Sequence, residues 1–232
     1  MNLRKFFLTI FPLSSPVSFS EKFRGAVAGG ISIFILCWAF KLMPHDAYPI
    51  SLLSSMAASA LLLFAVPHSP LAQPWNLIGG HLISGFVGWL CYLLIPDIFI
   101  AASVAVGLSI LLMHSFNCLH PPGAATAIAL ALGSAQFQYM GFVGVMTVVA
   151  VNAGFMLILA LLINNLLPGR HYPLRHENLL PTNPGSINAL DQEDLKMALQ
   201  QMGEVIDISE DDLAQIYMYA QRNADERQKG KS

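Results

Sequence analysis

Charge is what this sequence has least of. Only 11% of its 232 residues are Asp, Glu, Lys or Arg, where a soluble domain carries about 25%. No lysine or arginine stands between Lys41 and Arg170, and the only acids in that interval are Asp46 and Asp97. A water-soluble unit of that length could not cover itself with so few charges, which excludes a soluble enzyme. The gap also excludes a nucleic-acid binder, which needs a basic face. Cysteine is scarce as well. Cys37, Cys91 and Cys118 fall in or beside apolar runs without C-x-x-C spacing, so buried free thiols are expected rather than disulfides. The chain shows no nucleophile motif, oxyanion arrangement or cofactor fingerprint. It reads as a protein that is not an enzyme and takes no cofactor.

What is present is apolar sequence, 55% hydrophobic with a mean hydropathy of +0.57. A bilayer core about 30 Å thick is spanned by about 20 helical residues. Candidate spans run over Phe23 to Met43, Ile50 to Val66, Trp75 to Ile95, Ile98 to Met113 and Met140 to Leu167, and all five are expected to cross comfortably. A sixth piece, Ala124 to Gly133, would reach only roughly 15 Å as a helix. Arg4, Lys5, Lys22 and Arg24 precede the first span, while Arg170 and Arg175 follow the last. Positive charge marks the cytoplasmic side, so both ends are expected there, which requires an even number of crossings. The fold class that results is an all-α membrane protein of about six transmembrane helices, the fifth short or broken. It is expected in the plasma (inner) membrane, with the lipid bilayer as its first partner.

Four regions follow. Residues 1–20 form an interfacial N-terminal segment; they lack the cleavage pattern of a signal peptide before Glu21-Lys22-Phe23-Arg24. Residues 21–168 form the transmembrane domain, and 169–188 a linker marked by Pro173, Pro181 and Pro184-Gly185. Residues 189–232 form a cytoplasmic tail of two helices. The first is predicted over Asp191 to Met202; the second is capped by Ser209, with Leu213, Ile216, Tyr217 and Ala220 on its apolar face. Such short stripes are expected to pack on each other, on the membrane domain or on a second copy.

Two loops resemble each other. One reads His68-Ser69-Pro70-Leu71-Ala72-Gln73-Pro74-Trp75-Asn76 and leads into Gly79-Gly80-His81. The other reads His114-Ser115-Phe116-Asn117-Cys118-Leu119-His120-Pro121-Pro122-Gly123 and leads into Ala124-Ala125-Thr126. The likeness indicates an internal helix-loop-helix repeat with parallel halves. Proline suits the first helical turn, so Pro74 and Pro121-Pro122 are expected to open helices. A helix start suits an anion, and Gly123, Ala124 and Ala125 would leave the backbone uncovered for one. Two converging starts would hold a small inorganic anion without any Arg or Lys. The candidate substrate-binding residues are His120, Pro121, Pro122, Gly123, Ala124, Thr126, Gln73, Pro74, Asn76, Gly80 and His81. His120 is also a candidate carrier of a co-transported proton. Candidates for a gate or proton relay are His68, Ser69, His114 and Asn117. Asn152 reads as an interhelical hydrogen bond, Asp97 as a cap, and Gly25-x-x-x-Gly29 as a helix contact face.

The run Leu119-His120-Pro121-Pro122-Gly123-Ala124-Ala125-Thr126-Ala127 resembles the signature of the HPP family of integral membrane proteins. Ser69 to Asn76, with Gly79-Gly80-His81, is similar to that family's second characteristic stretch. The resemblance covers about residues 20 to 168. It implies transport, since some plastid and cyanobacterial members are described as nitrite transporters. Other members carry a pair of CBS domains after the membrane region, implying that the tail docks or dimerises. The leading expectation is therefore a small-anion transporter or channel, nitrite first, in a homodimer or other homo-oligomer. A metal site on His68, His81, His114, His120 and Cys118 is one alternative. A scaffold or sensor acting through the tail is another.

Overall fold

A computed structural model of the chain describes residues 17–41, 51–133, 135–174, 208, 213 and 215–219. Between residues 17 and 174 the described residues form six α-helices, and none of the described residues is in a strand. They are α1 (Phe19–Lys41), α2 (Ser51–Ala65), α3 (Pro74–Leu94), α4 (Ile98–Ser115), α5 (Pro121–Ala131) and α6 (Ala135–Leu166). A 3-10 turn at Pro70–Ala72 lies between α2 and α3. The predicted helix at 191–202 and the first sixteen residues lie outside the described ones. Residues 213 and 215–219 are helical, within the second predicted tail helix.

Proline and a carboxylate set the boundaries. Pro74 and Pro121 each occupy the first helical turn behind an extended residue, Gln73 and His120. There their missing N–H costs nothing. Asp97 caps α4, accepting from the N–H groups of Phe99 and Ile100 at 2.9 Å each. α6 is broken near its start by Gly141, whose φ of 64° and ψ of 179° belong to no helix. Only glycine adopts that backbone without strain.

α1, α3, α4 and the 28-residue run Tyr139–Leu166 are long and apolar enough to cross a bilayer. Of the five spans expected to cross comfortably, one, α2, has only 15 residues, while α5, expected to be short, has 11. α3 lies at the centre and packs on α4, α5 and α6, while α1 packs on α2 and α6. One core joins α1, α2 and α6 through Leu36, Met56, Leu63, Phe64 and Met156. Another joins α3, α5 and α6 through Trp89, Leu130, Phe137 and Val149. A third, of Val87, Cys91, Ala101, Ala105 and Ala127, seats α4 on α3 and α5. Phe34, Trp38, Leu61, Phe99, Leu111 and Val143 point outward, as side chains do toward lipid. Cys37 is exposed among them, while Cys91 and Cys118 are buried free thiols, so the expectation of burial fails for the first.

The two ends of the membrane region meet. Arg170, just past α6, donates through Nε to Glu21 Oε1 at 2.7 Å and through Nη2 to the same oxygen. Its Nη1 reaches Phe64 O at 2.9 Å and Asn164 Oδ1 at 3.0 Å, and Asn164 Nδ2 binds Leu63 O at 3.0 Å. The start of α1, the end of α2 and the end of α6 are thereby tied at one level. Gly25 makes the approach of α1 to α2 possible, since a Cβ there would lie 2.8 Å from Phe64 O.

The segment after α6, expected to be linker from residue 169, begins as part of the bundle. Tyr172 is buried and its hydroxyl donates to Ala72 O at 2.7 Å. Leu174 N donates to Gln73 Oε1 at 3.0 Å, and Asn165 brackets Tyr172 from both sides of its peptide.

Replacing Arg170 by Met leaves Glu21, Asn164 and the Phe64 carbonyl without their donor. A loss on the order of 2–4 kcal/mol is expected, because Glu21 keeps some solvent while the other groups do not. Thermal unfolding in detergent should show a larger drop for Arg170→Met than for Glu21→Gln. Burial also holds the Tyr172 phenol above the usual tyrosine value. A raised acid contributes stability below its unfolded value of about 10 and loses it as pH rises further. Tyr172→Phe should therefore cost about 1 kcal/mol at neutral pH, from the bond to Ala72 O. The gap between variant and wild type should close in unfolding curves taken above that value.

Candidate functional site

α5 is short because its first part is not helix. Trp75 Nε1 donates to Phe116 O at 3.1 Å, and Asn76 Nδ2 donates to Leu119 O at 2.9 Å. Cys118 lies against Gly79, where a Cβ would come within 2.9 Å of its own Cβ. The chain from Phe116 to His120 thus descends beside the first turns of α3, and α5 begins only at the level of Gly80. From there the helices run parallel. A Cβ on Gly80 would lie 2.5 Å from His120 Cβ, one on Gly123 would lie 2.9 Å from Gly80 O, and one on Gly88 would collide with Ala127. Gly80, Ser84 and Gly88 on α3 face Gly123, Ala127 and the start of the next turn on α5. Small residues four apart let helix backbones approach this closely in a membrane.

Inside that contact sit two fully buried histidines, His81 on α3 and His120 before α5. Their rings meet edge to face with centroids 5.1 Å apart. Ser59 of α2 lies between them, its Oγ 2.9 Å from His81 Nε2 and 3.0 Å from His120 Nε2. His81 Nδ1 is 2.8 Å from Thr126 Oγ1, and His120 Nδ1 is 2.9 Å from Leu71 O. Five residues from α2, the 3-10 turn, α3 and the α5 region therefore form one buried polar chain. An ionisable side chain inside a membrane bundle is expensive and belongs, by default, to a substrate or proton path.

The other expected residues fall into groups. Gln73 is fully committed to backbone, giving Nε2 to Pro67 O and Ser69 O and accepting at Oε1 from Leu174. Asn76 is committed to Leu119, and Pro74 and Pro121 are structural openings of their helices. Ser69 caps the 3-10 turn by accepting from Leu71 N at 3.1 Å. His68, His114 and Asn117 are exposed, and Asn117 takes a left-handed φ of 51° at the end of α4. Asn152 is buried in α6. Among the described residues no three His, Cys, Asp or Glu side chains converge as a metal site would require.

One geometric expectation fails. The face of Gly123 was expected to lie open to a ligand, but Gly80 O and Ser84 Oγ occupy it. Donors are also missing there. Pro121 and Pro122 have no N–H, and Gly123 N is taken by His120 O at 2.8 Å. The start of α5 offers an anion little, because the prolines that open the helix remove the groups that would bind one. An apolar groove of about 700 Å³ between α1 and α2 is lined by Gly25, Gly29, Ala57, Ala60 and Leu61. It opens on a face of α2 turned away from Ser59.

Sequence reading passed over Ser59, the residue that joins the two histidines. Its signal was present: Ser55 and Ser59 stand four apart in a helix whose remaining residues, Ser51 and Ser54 apart, are apolar, and both serines are buried. Ser84 and Ser109 were also passed over. Ser84 Oγ contacts Met113 Sδ at 3.7 Å, and Ser109 Oγ, one turn before Met113, is buried without a partner.

A profile described as "HPP, transmembrane region" matches residues 14–173. The chain belongs to the HPP family. It is 43% identical over 133 residues to a transmembrane protein of Dictyostelium discoideum, covering 56% of this chain and 46% of that protein. A second transmembrane protein of the same organism is 38% identical over 148 residues, covering 62% of this chain and 47% of the other. The chain therefore spans about half the length of the curated relatives it matches. No solved structure matches it. The match runs past the Tyr172 contact to residue 173, so this HPP region includes the returning segment after α6.

Gly123→Ala should destabilise the bundle by about 1–3 kcal/mol, since the added methyl must push α3 from α5. Gly107→Ala, at a position with nothing within 4 Å, is the control and should be neutral or slightly stabilising. Melting temperatures of the two variants in detergent check the contrast.

Proposed function

We propose that this HPP protein carries a small inorganic anion across the bilayer, with nitrite the first candidate, and that it is a carrier or channel rather than an enzyme. The observation that carries the reading is the buried His81–Ser59–His120 chain at the head of a half-length helix, inside a region without Lys or Arg. A small anion leaving water needs a positive charge or strong donors to replace its hydration. In this interior the imidazoles are the groups able to provide a charge, by taking up a proton. Partial helices and extended backbone at membrane depth also belong to transporter architectures, where they line the substrate path. Nitrite comes first because the HPP resemblance implies it.

The anion is proposed to meet the protein at His120, once the ring leaves the Leu71 carbonyl, rather than at the bare helix starts. The short α2 and α5 favour a homodimer or other homo-oligomer, since short spans are accommodated in part by association. The basic residues at both ends favour the plasma (inner) membrane with both ends cytoplasmic. The metal alternative loses its basis, because exposed His68 and His114 are not gathered with His81 and His120.

Proteoliposomes carrying the full chain should take up nitrite saturably, compared with nitrate, formate and chloride. His120→Gln should reduce that uptake by roughly tenfold or more, the effect of about 1.4 kcal/mol on a barrier. Uptake that is unchanged in the variant would remove His120 from the path. No uptake of any of the four anions by wild type would sink the reading.

A further inference from the structure

The polar chain has a direction. Leu71 O can only accept, so His120 must carry its proton on Nδ1. A neutral His120 then offers a lone pair at Nε2, and Ser59 is the donor that meets it. The Ser59 hydroxyl has one proton. It also lies 3.1 Å from Ser55 O, but donating there would leave a buried imidazole nitrogen unpaired, which is the costlier arrangement. With its proton given to His120, Ser59 must accept from His81 Nε2–H. His81 Nδ1 is then an acceptor, and Thr126 Oγ1–H donates to it. One carbonyl therefore fixes both tautomers and the sense of every bond, from Thr126 through His81, Ser59 and His120 to Leu71.

We infer that Thr126, His81, Ser59, His120 and the Leu71 carbonyl form a proton wire, and that the proton is the ion this protein moves together with its anion. The inference rests on the transport reading for its cargo, while its geometry stands apart from it. An incoming proton bonds to Thr126 Oγ1 as the Thr126 O–H bond facing His81 breaks, and that released proton bonds to His81 Nδ1, so Thr126 stays a neutral hydroxyl and the ring becomes an imidazolium. The His81 Nε2–H bond then breaks as that proton bonds to Ser59 Oγ. In the same step the former Ser59 O–H bond breaks and its proton bonds to His120 Nε2. His81 is left neutral with its proton on Nδ1, Ser59 is still a neutral hydroxyl, and His120 carries the charge. His120 Nδ1 then releases its proton to the anion or to water beside the 3-10 turn. No atom is lost, and one proton has passed from the α5 side of the bundle to the loop side. Reorientation of the Ser59 hydroxyl and tautomer exchange in both rings reset the wire.

The surroundings suit this role. α2 contributes Ser55 and Ser59, α3 contributes His81, and the α5 region contributes Thr126, His120 and the thiol of Cys118 against Gly79. α4 contributes Met113 and the partnerless Ser109, and the buried polar residues of α6 are Asn152 and Asn164. Among the described buried residues the permanently charged one is Arg170. It attaches to α2 at Phe64, more than a turn beyond Ser59, and so stands apart from the wire.

Two measurements test the wire. In full-chain proteoliposomes holding a pH-sensitive dye, an inside-alkaline gradient should accelerate anion uptake and be matched by proton influx. Ser59→Ala should cut that proton influx by about tenfold or more, the scale of losing one positioned proton-transfer group, and Ser59→Thr should restore it. Separately, nitrogen-15 histidine spectra of the protein in nanodiscs should show His120 with its proton on Nδ1 and His81 with its proton on Nε2. Wild-type proton influx in Ser59→Ala, or the opposite tautomers, would overturn the wire while leaving anion uptake standing. Vesicles that conduct protons in a Ser59-dependent way yet move no anion would keep the wire and reject the anion reading.

Discussion

The structure depends on one constraint: peptide groups placed at membrane depth must find partners within the protein. From Phe116 to Leu119 the chain is non-helical, turning through the left-handed Asn117, so the carbonyls of Phe116 and Leu119 belong to no helix ladder. Trp75 and Asn76, on the first turn of α3, supply side-chain donors to Phe116 O and Leu119 O. The Cys118 N–H turns back to Met113 O. Unpaired, such groups would each cost several kcal/mol in hydrocarbon. With them paired, the non-helical run becomes tolerable, and α5 can begin halfway into the bundle.

Everything distinctive about the interior follows from that late start. A full-length fifth helix would place its first residues at the membrane surface and would carry no histidine to the level of Gly80. The half-helix carries His120 down to meet His81, and the small residues of α3 and α5 leave room for no side chain between their backbones. Ser59 then reaches the gap from α2. The histidines are held by one another's partners rather than by charge, which fits a region whose sequence contains neither Lys nor Arg.

Much of the fold is legible in the sequence because membrane helices announce themselves by length and apolarity. Proline placed the openings of α3 and α5 at Pro74 and Pro121, and Asp97 reads as a cap for the same reason it acts as one. The shortness of α5 is also legible, since the largely apolar piece from Ala124 to Gly133 is only ten residues long. The site is legible only in part. His81 and His120 stand out as titratable groups in apolar sequence, yet their meeting through Ser59 depends on the register of three helices, which no local pattern carries. The roles of Gln73 and Gly123 were misread for a related reason. Glutamine in a loop and glycine at a helix start look the same whether they face a ligand or another backbone, and here both face backbone.

The way the chain leaves the bundle has a mechanical meaning. Through Leu174 the polypeptide is tied to the bundle. Its last anchor is the Gln73 amide, and the one before it is the Tyr172 hydroxyl on Ala72. Leu71, whose carbonyl accepts the hydrogen bond from His120 Nδ1, is the neighbour of Ala72 in the same short turn. A load applied at Leu174 is therefore shared between that three-residue turn, through Gln73 and Ala72, and α6, through Asn165. The turn is the joint through which the outside of the membrane region can pull on its centre.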